Sequence, residues 1–514
     1  MTDVAIPIKR RTYSNIKIEL TSFRRSIVLF SLAAAFGILY LGCATGHRPP
    51  AVEASAPVVI DSIGIRQSRL AARIDSLLGD TLLSQAQYGI YIVDAESGRE
   101  IYQRGHQRLL VPASANKLFV TALALLKLGP QHRFVTQARG DSLERDGRLK
   151  GDLFLVGGGD PLLSNSDLET LAFRLKVSGL RKVSGRLILD NSLFDTASYG
   201  RGWMWDEGPY AYNAPISALS VNRNIFEVGI TAAHRPAART KVEIDPNSDY
   251  FVVENQSLTA FPGVRRNIRV NRSSAAGRES VMVSGVLPSE DSPLYLWRSV
   301  SHPLFYSGHL FRRSLRQRGI GIGDGMAEGR AGGGTAILAE VKSQPLYLIL
   351  REMDKDSDNF IAEMLFRYLS ANGRQPGDTA AGNVWEALMS SLGFAPGSYR
   401  IVDGSGMSRY NLCSPEQLTA VLRHLYGKPE IRPELLALLP VAATDGTLQN
   451  RLGAFPGRVR AKTGTMTGIS SLAGFAFGDR AYVFAMIFNN YTAAASAARR
   501  LQDRIVESLL EIQP

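Results

Sequence analysis

The 514-residue chain has only two cysteines, 24 prolines, 48 glycines and seven histidines. Two cysteines cannot build a disulfide framework, and glycine and proline together fall well short of a collagenous or low-complexity chain. With 45% hydrophobic and 21% charged residues, the chain is neither disordered nor a coiled coil. The histidines are dispersed, His302 and His309 lack a helical metal spacing, and neither an H-E-x-x-H nor a G-x-S-x-G occurs. Zinc and Ser-His-Asp hydrolysis are therefore disfavoured. The net charge is +12, yet beyond the first 25 residues there is no long Lys/Arg run or stripe. An anionic envelope surface accounts for that charge, and no nucleic-acid partner is expected. What remains is a globular chain long enough for about three domains.

One long apolar run interrupts this texture. Residues 1–25 carry Lys9, Arg10, Arg11, Lys17, Arg24 and Arg25 against Asp3 and Glu19, and residues 26–46 (SIVLFSLAAAFGILYLGCATG) then hold no charge. A basic cytosolic tail before such a stretch reads as an export or anchor segment, long enough to span a bilayer as a helix. Tyr40-Leu41-Gly42-Cys43 resembles a lipoprotein cleavage site in which Cys43 carries lipid, with Tyr40 where an aliphatic residue is usual. Lipidation and an uncleaved helix both leave the remainder outside the cytoplasm. If Cys43 is lipidated, Cys413 has no intramolecular partner and is expected as a small buried thiol. Residues 47–56 (HRPPAVEASA) open a tether expected to run to 69.

Order is expected to begin with a hairpin, residues 88–93 returning as 100–103, followed by a long apolar helix over 111–129 that stops at Gly129-Pro130. Near the other end, 469–477 and 481–489 read as a second hairpin and 492–512 as an amphipathic helix. Strands at both ends of a chain imply one sheet assembled from distant segments, with the middle inserted into it. That middle, about 137–330, alternates short β-like runs such as 151–156 and 183–189 with loops and one helix candidate, 167–178. Gly157-Gly158-Gly159-Asp160-Pro161 is not a phosphate loop, because no Lys-Ser/Thr follows, and the glycines at 319, 321 and 323 read as β-turn residues.

Three short motifs occur in order: Ser114-Ala115-Asn116-Lys117, Ser357-Asp358-Asn359 and Lys462-Thr463-Gly464-Thr465. Each is weak alone, but the ordered set is the combination shared by β-lactamases and penicillin-binding proteins. At the opening turn of a helix, Ser114 has its hydroxyl near the positive dipole end and its N–H available to an oxyanion. Lys117 lies one turn on, on the same face, and can act as a base only if burial and a second cation, Lys462, keep its amine neutral. Ser357-Asp358-Asn359 precedes a helix pattern at 360–369, so capping is an alternative role for Ser357 or Asp358. In the chemical reading, Ser357 relays a proton between Lys117 and a leaving amine, and the Asn359 amide holds a substrate carbonyl. Residues 462–465 read as an edge strand on which a peptide can pair, with the Thr465 N–H as second oxyanion donor.

With these motifs, and with the segments GDLFLVGGGDP (151–161), YNAPISALSVNRN (212–224), DGSGMSRYNLCSP (403–415) and TDGTLQNRL (444–452), the chain resembles peptidase family S13. These are D-alanyl-D-alanine carboxypeptidases/endopeptidases, the low-molecular-mass class C penicillin-binding proteins. The resemblance implies an α+β fold. A β-lactamase/transpeptidase-like serine domain, an antiparallel sheet flanked by helices, would span 70–136 and 331–514. Two inserted β-rich domains would be nested in it, the outer at 137–225 with 286–330 and the inner at 226–285. It implies Ser114 as acyl-ester nucleophile, Lys117 as proton acceptor, Ser357 as second active-site serine, and Asn359, Lys462, Thr463, Gly464 and Thr465 as substrate-binding residues. Asp160 would face the free amino group of a diaminopimelate side chain, unless it merely forms an Asp-Pro turn. The expected activity is penicillin-sensitive cleavage of D-Ala-D-Ala termini and of cross-links in peptidoglycan stem peptides, without metal or organic cofactor. A β-lactamase of the same fold and a catalytically slow wall sensor or scaffold are the alternatives.

Overall fold

The strand of residues Ala481–Asn489 is buried over almost its whole length, and its alternation explains the layering. Phe484, Met486 and Phe488 join one core cluster with Leu501, Ile505 and Leu509 of the C-terminal helix, whereas Val483, Ala485 and Ile487 join another with Leu118 and Leu125. A period of two sends alternate side chains to opposite faces, so the sheet is apolar on both sides and carries helices on both.

We describe a computed structural model in which residues 62–511 are defined apart from 205, 276, 324 and 373–381. The central sheet has five antiparallel strands in the order Val459–Met466, Ile469–Phe477, Ala481–Asn489, Gln87–Asp94, Glu100–Arg104. Both expected hairpins are present, and the two ends of the chain meet where Gln87–Asp94 pairs with Ala481–Asn489. On one face lie the helices Ser62–Leu78 and Ala495–Glu511, and on the other Lys117–Lys127, Leu346–Asp356 and Pro415–Tyr426.

The middle of the chain forms other sheets. One has the order Met326–Glu328, Leu187–Asp190, Leu153–Val156, Val135–Gly140, Ala336–Lys342, with the first three strands parallel and the last three antiparallel. Helices Asn165–Val177 and Pro303–Gln317 share its apolar cluster. Ile225–Thr231 sits between Lys241–Asp245 and Leu294–Ser299 in a second sheet, and Arg278–Ser284 between Phe251–Asn255 and Arg269–Ala275 in a third.

Several local expectations are corrected. The tether expected over 47–69 cannot extend that far, because 62–69 belong to the helix Ser62–Leu78, which buries Leu70, Ile74 and Leu78 at four-residue spacing. The apolar run 111–129 is not one helix: a 3₁₀ turn, Ala113–Asn116, precedes the α-helix Lys117–Lys127, since Ala113 has φ +48°. The helix sought at 167–178 starts at Asn165, where Ser164 and Asp167 form a reciprocal capping box. Gly157 and Gly158 pack against backbone, a Cβ on Gly158 falling 1.9 Å from Val135 O, so close approach explains them. The tail at 1–25, the apolar segment 26–46 with Cys43, and residues 47–61 lie outside the described residues.

Candidate active site

Ser114 reaches the edge of the central sheet because the 3₁₀ turn is pinned at several points. Asn489 brackets Val111, accepting its N–H at 2.7 Å and donating to its carbonyl at 3.0 Å, and Ser471 donates to Pro112 O at 2.6 Å. Gly464 lets the edge strand close on the turn, since a Cβ there would stand 2.9 Å from Ser114 N and 2.7 Å from Pro112 O. Among the described residues, that strand is paired on its outer side only through residues 459–461, with Pro440–Ala442. Thr465, further along the same edge, is exposed.

Two serine–lysine couples meet here. Lys117 Nζ stands 3.0 Å from Ser114 Oγ and donates to Asn359 Oδ1 at 2.8 Å and to the Ser405 carbonyl. Lys462 Nζ donates to Ser357 Oγ at 2.8 Å and to Thr463 O at 3.0 Å. Both lysines are wholly buried. Burial pushes the Lys117 ammonium down to about 8, against the opposing pull of Asp403, Asp358, Asp354 and Glu363. Lys462 is lowered as well, by burial first and by the charge of Lys117 second. The expected direct relay from Ser357 to Lys117 is not the contact observed: the Ser357 hydroxyl is bonded to Lys462.

The second motif divides its work. Ser357 ends the helix Leu346–Asp356 in the left-handed region, at φ +58° and ψ +40°, which turns its side chain towards the strand. Asp358 caps the next helix, Asn359–Asn372, through Ile361 N at 2.9 Å and pairs with Arg223 at 3.2 Å. Asn359 points its oxygen at Lys117 and its Nδ2 at Tyr212 O and Met407 Sδ. Thr463 Oγ1 donates to Thr447 Oγ1 at 2.8 Å, so the 444–452 segment supports the edge strand.

The motif reading missed the 403–411 loop. The Asp403 carboxylate gathers Ser405 Oγ at 2.6 Å, Gly406 N at 3.1 Å, Asn411 Nδ2 and Trp203 Nε1 at 2.7 Å. It thereby fixes the Ser405 carbonyl on Lys117, and Glu363 holds Gly404 N at 2.8 Å from the other side. The segment's Asp-Gly-Ser-Gly pattern was the available signal, since Gly406 (φ +82°) leaves room for Ala113 O, 2.0 Å from where a Cβ would stand.

Asp160 is not drawn into this cluster. It is 5% exposed, accepts Leu162 N–H at 2.9 Å as an Asp-Pro turn does, and is pushed up to about 7 by burial. Cys413 is buried with its thiol raised by burial, and its backbone pairs with Leu110, a packing role. Among the described residues no group of His, Cys, Asp or Glu could hold a metal ion.

A sheet between helical layers, with two Ser–Lys couples meeting at its edge strand, defines the penicillin-recognising class of serine enzymes. The sequence matches the D-Ala-D-Ala carboxypeptidase 3 (S13) family over residues 70–511, and the chain belongs to that family. It is 34% identical over 484 residues to the D-alanyl-D-alanine carboxypeptidase of Actinomadura sp. (strain R39), covering 90% of this chain and 88% of that protein. The crystal structure of penicillin binding protein 4 (dacB) from Haemophilus influenzae superposes with a TM-score of 0.74 at 26% identity, covering 85% of this chain and 98% of that one. The same protein complexed with a novel β-lactam gives a TM-score of 0.70 at 25% identity, over 85% and 98%.

Proposed function

We propose that this serine-type D-Ala-D-Ala carboxypeptidase works through Ser114 as nucleophile and Lys117 as the base that takes its proton. The observation that carries the reading is the 3.0 Å approach of a buried lysine amine, lowered to about 8, to a serine hydroxyl at the open edge of a sheet. Ser114 Oγ attacks the carbonyl of the penultimate D-alanine, and its proton passes to Lys117 Nζ. The oxyanion is met by the N–H groups of Ser114 and Thr465. As the C–N bond breaks, Lys462 and Ser357 deliver a proton to the departing D-alanine amine, and water then hydrolyses the acyl-Ser114 ester. Asn359 and residues 463–465 align the peptide along the edge. The same chemistry extends to the D-alanyl bond of a cross-link.

The domain division is likewise a proposal. The serine domain comprises about 70–134 and 343–514, the outer insert flanking the inner one, whose expected span of 226–285 is extended to about 225–299 because Leu294–Ser299 pairs with Ile225–Thr231 and Val286–Pro288 with Leu258–Ala260. The insert's return is moved from 330 to 343 because Ala336–Lys342 pairs with Val135–Gly140 rather than with the central sheet. In this reading the enzyme acts on peptidoglycan outside the cytoplasm, held by lipid on Cys43 or by the apolar segment 26–46. The test of the nucleophile is the intact mass of the protein after exposure to benzylpenicillin. One penicilloyl adduct on Ser114, absent from Ser114→Ala, is expected; an adduct that survives that substitution refutes the assignment.

A further inference from the structure

Beneath the two Ser–Lys couples lies a carboxylate that the reaction above does not use. Asp354 precedes Ser357 by three residues, about one helical turn, and Thr121 follows Lys117 by four on the same helix face. The two meet, Thr121 Oγ1 donating to Asp354 Oδ2 at 2.7 Å. Asp354 is fully buried, and its other oxygen, Oδ1, has no hydrogen-bond partner. An orphaned carboxylate oxygen in a dry interior is costly unless a nearby charge compensates it.

The compensating charges are the site's own. Among the described residues, neither Lys117 nor Lys462 lies within ion-pair distance of a carboxylate; their amines bond to hydroxyls, an amide and carbonyls. Burial raises the Asp354 carboxyl to about 6 against the pull of Lys462 first, the Thr121 hydrogen bond next and then Lys117, so that it is ionised above that pH, and it is the carboxylate that opposes the lowering of Lys462. The other acidic groups facing Lys117 have partners of their own. Asp358 pairs with Arg223 and Glu363 with Arg367, while Asp403 is saturated by its loop and Trp203. The neighbouring cation Lys355 is taken by Asp445 at 2.7 Å.

We propose that Asp354 is a positioning residue for the peptidase reaction, the buried counter-ion that keeps one positive charge on the Lys117–Lys462 pair. One lysine can then accept the Ser114 proton while the other remains an ammonium. This rests on the reading of Ser114 and Lys117 given above. Without the carboxylate both protons are held less tightly, so the pair loses its last charge at lower pH.

The test is the pH dependence of kcat/KM for D-alanine release and of the acylation rate by benzylpenicillin, on the full chain. For Asp354→Asn, which keeps the shape and the Thr121 contact, both limbs of the profile move to lower pH. The alkaline limb moves by about one unit or more, a tenfold change in proton affinity. Asp354→Glu, which restores the charge, keeps the alkaline limb within about half a unit of wild type whatever its kcat. If the amide variant does not fold, Asp354→Ser supplies the same readout. An active neutral variant with both limbs at their wild-type positions overturns the proposal. A wild-type enzyme that neither releases D-alanine nor is acylated refutes instead the functional reading on which it rests.

Discussion

Replacing Gly464 with alanine tests whether the edge strand must press against the nucleophile. The glycine carries no positive φ, so the substitution acts through space alone. An added Cβ would stand 2.2 Å from Ser471 Oγ, 2.7 Å from Pro112 O and 2.9 Å from Ser114 N. Ordinary van der Waals contact begins near 3.4 Å, so the Ser471 hydroxyl can rotate away but the turn holding Ser114 must retreat from the strand by about 0.5 Å or more. That retreat separates the two oxyanion donors and draws Ser114 from Lys117. Misplacement on this scale, or loss of one oxyanion donor, costs about a hundredfold in rate. Overpacking should cost about 1–3 kcal/mol of stability, a separate effect. The second-order rate of acylation by a fluorescent penicillin, measured beside thermal unfolding, separates the two. Acylation of Gly464→Ala within about threefold of wild type would refute the reasoning, because it would mean that the close approach is dispensable.

The acid limb of the pH dependence follows from Lys117, whose amine must be neutral to act: acylation should rise about tenfold per pH unit below its value of about 8, before loss of the pair's last proton turns it down, and a rate that falls with rising pH across 6–8 would contradict the role. Penicilloate release should be at least about a hundredfold slower than peptide turnover, some 3 kcal/mol of barrier, measured as paired steady-state rates. No E-x-x-L-N glutamate is available to activate water, and Glu363 is bonded to Gly404 N and Arg367. Comparable rates would favour the β-lactamase alternative. For the anchor, Cys43→Ala should abolish lipid labelling and processing, whereas a mature chain that retains residues 1–42 would favour the uncleaved helix.

What could be read from the sequence were the local patterns. The strand alternation in 481–489, the glycine-bounded hairpins and the S-x-x-K spacing each depend on neighbours within a few residues. Contacts across hundreds of residues left little trace. Lys117 takes its carbonyl partner from Ser405, and Asn359 borrows Tyr212 O from the inserted region. Nothing local distinguishes Asp354 from a solvated helix carboxylate; only the packing of two helices makes it buried. The split of 111–129 into a 3₁₀ turn and a helix goes with the positive φ of Ala113, which packs against the distant Gly406 loop and has no local sequence signal. Motif order carries no geometry and so suggests a relay from Ser357 to Lys117, whereas the left-handed φ/ψ of Ser357 turns it to Lys462.

The most direct measurement is the product mass after the purified full chain meets a defined disaccharide pentapeptide and its cross-linked dimer. The expected result is loss of a single terminal D-alanine from the pentapeptide, together with cleavage of the dimer at its D-alanyl cross-link, both abolished by Ser114→Ala. An unchanged pentapeptide, or D-alanine release that persists in Ser114→Ala, would contradict the account.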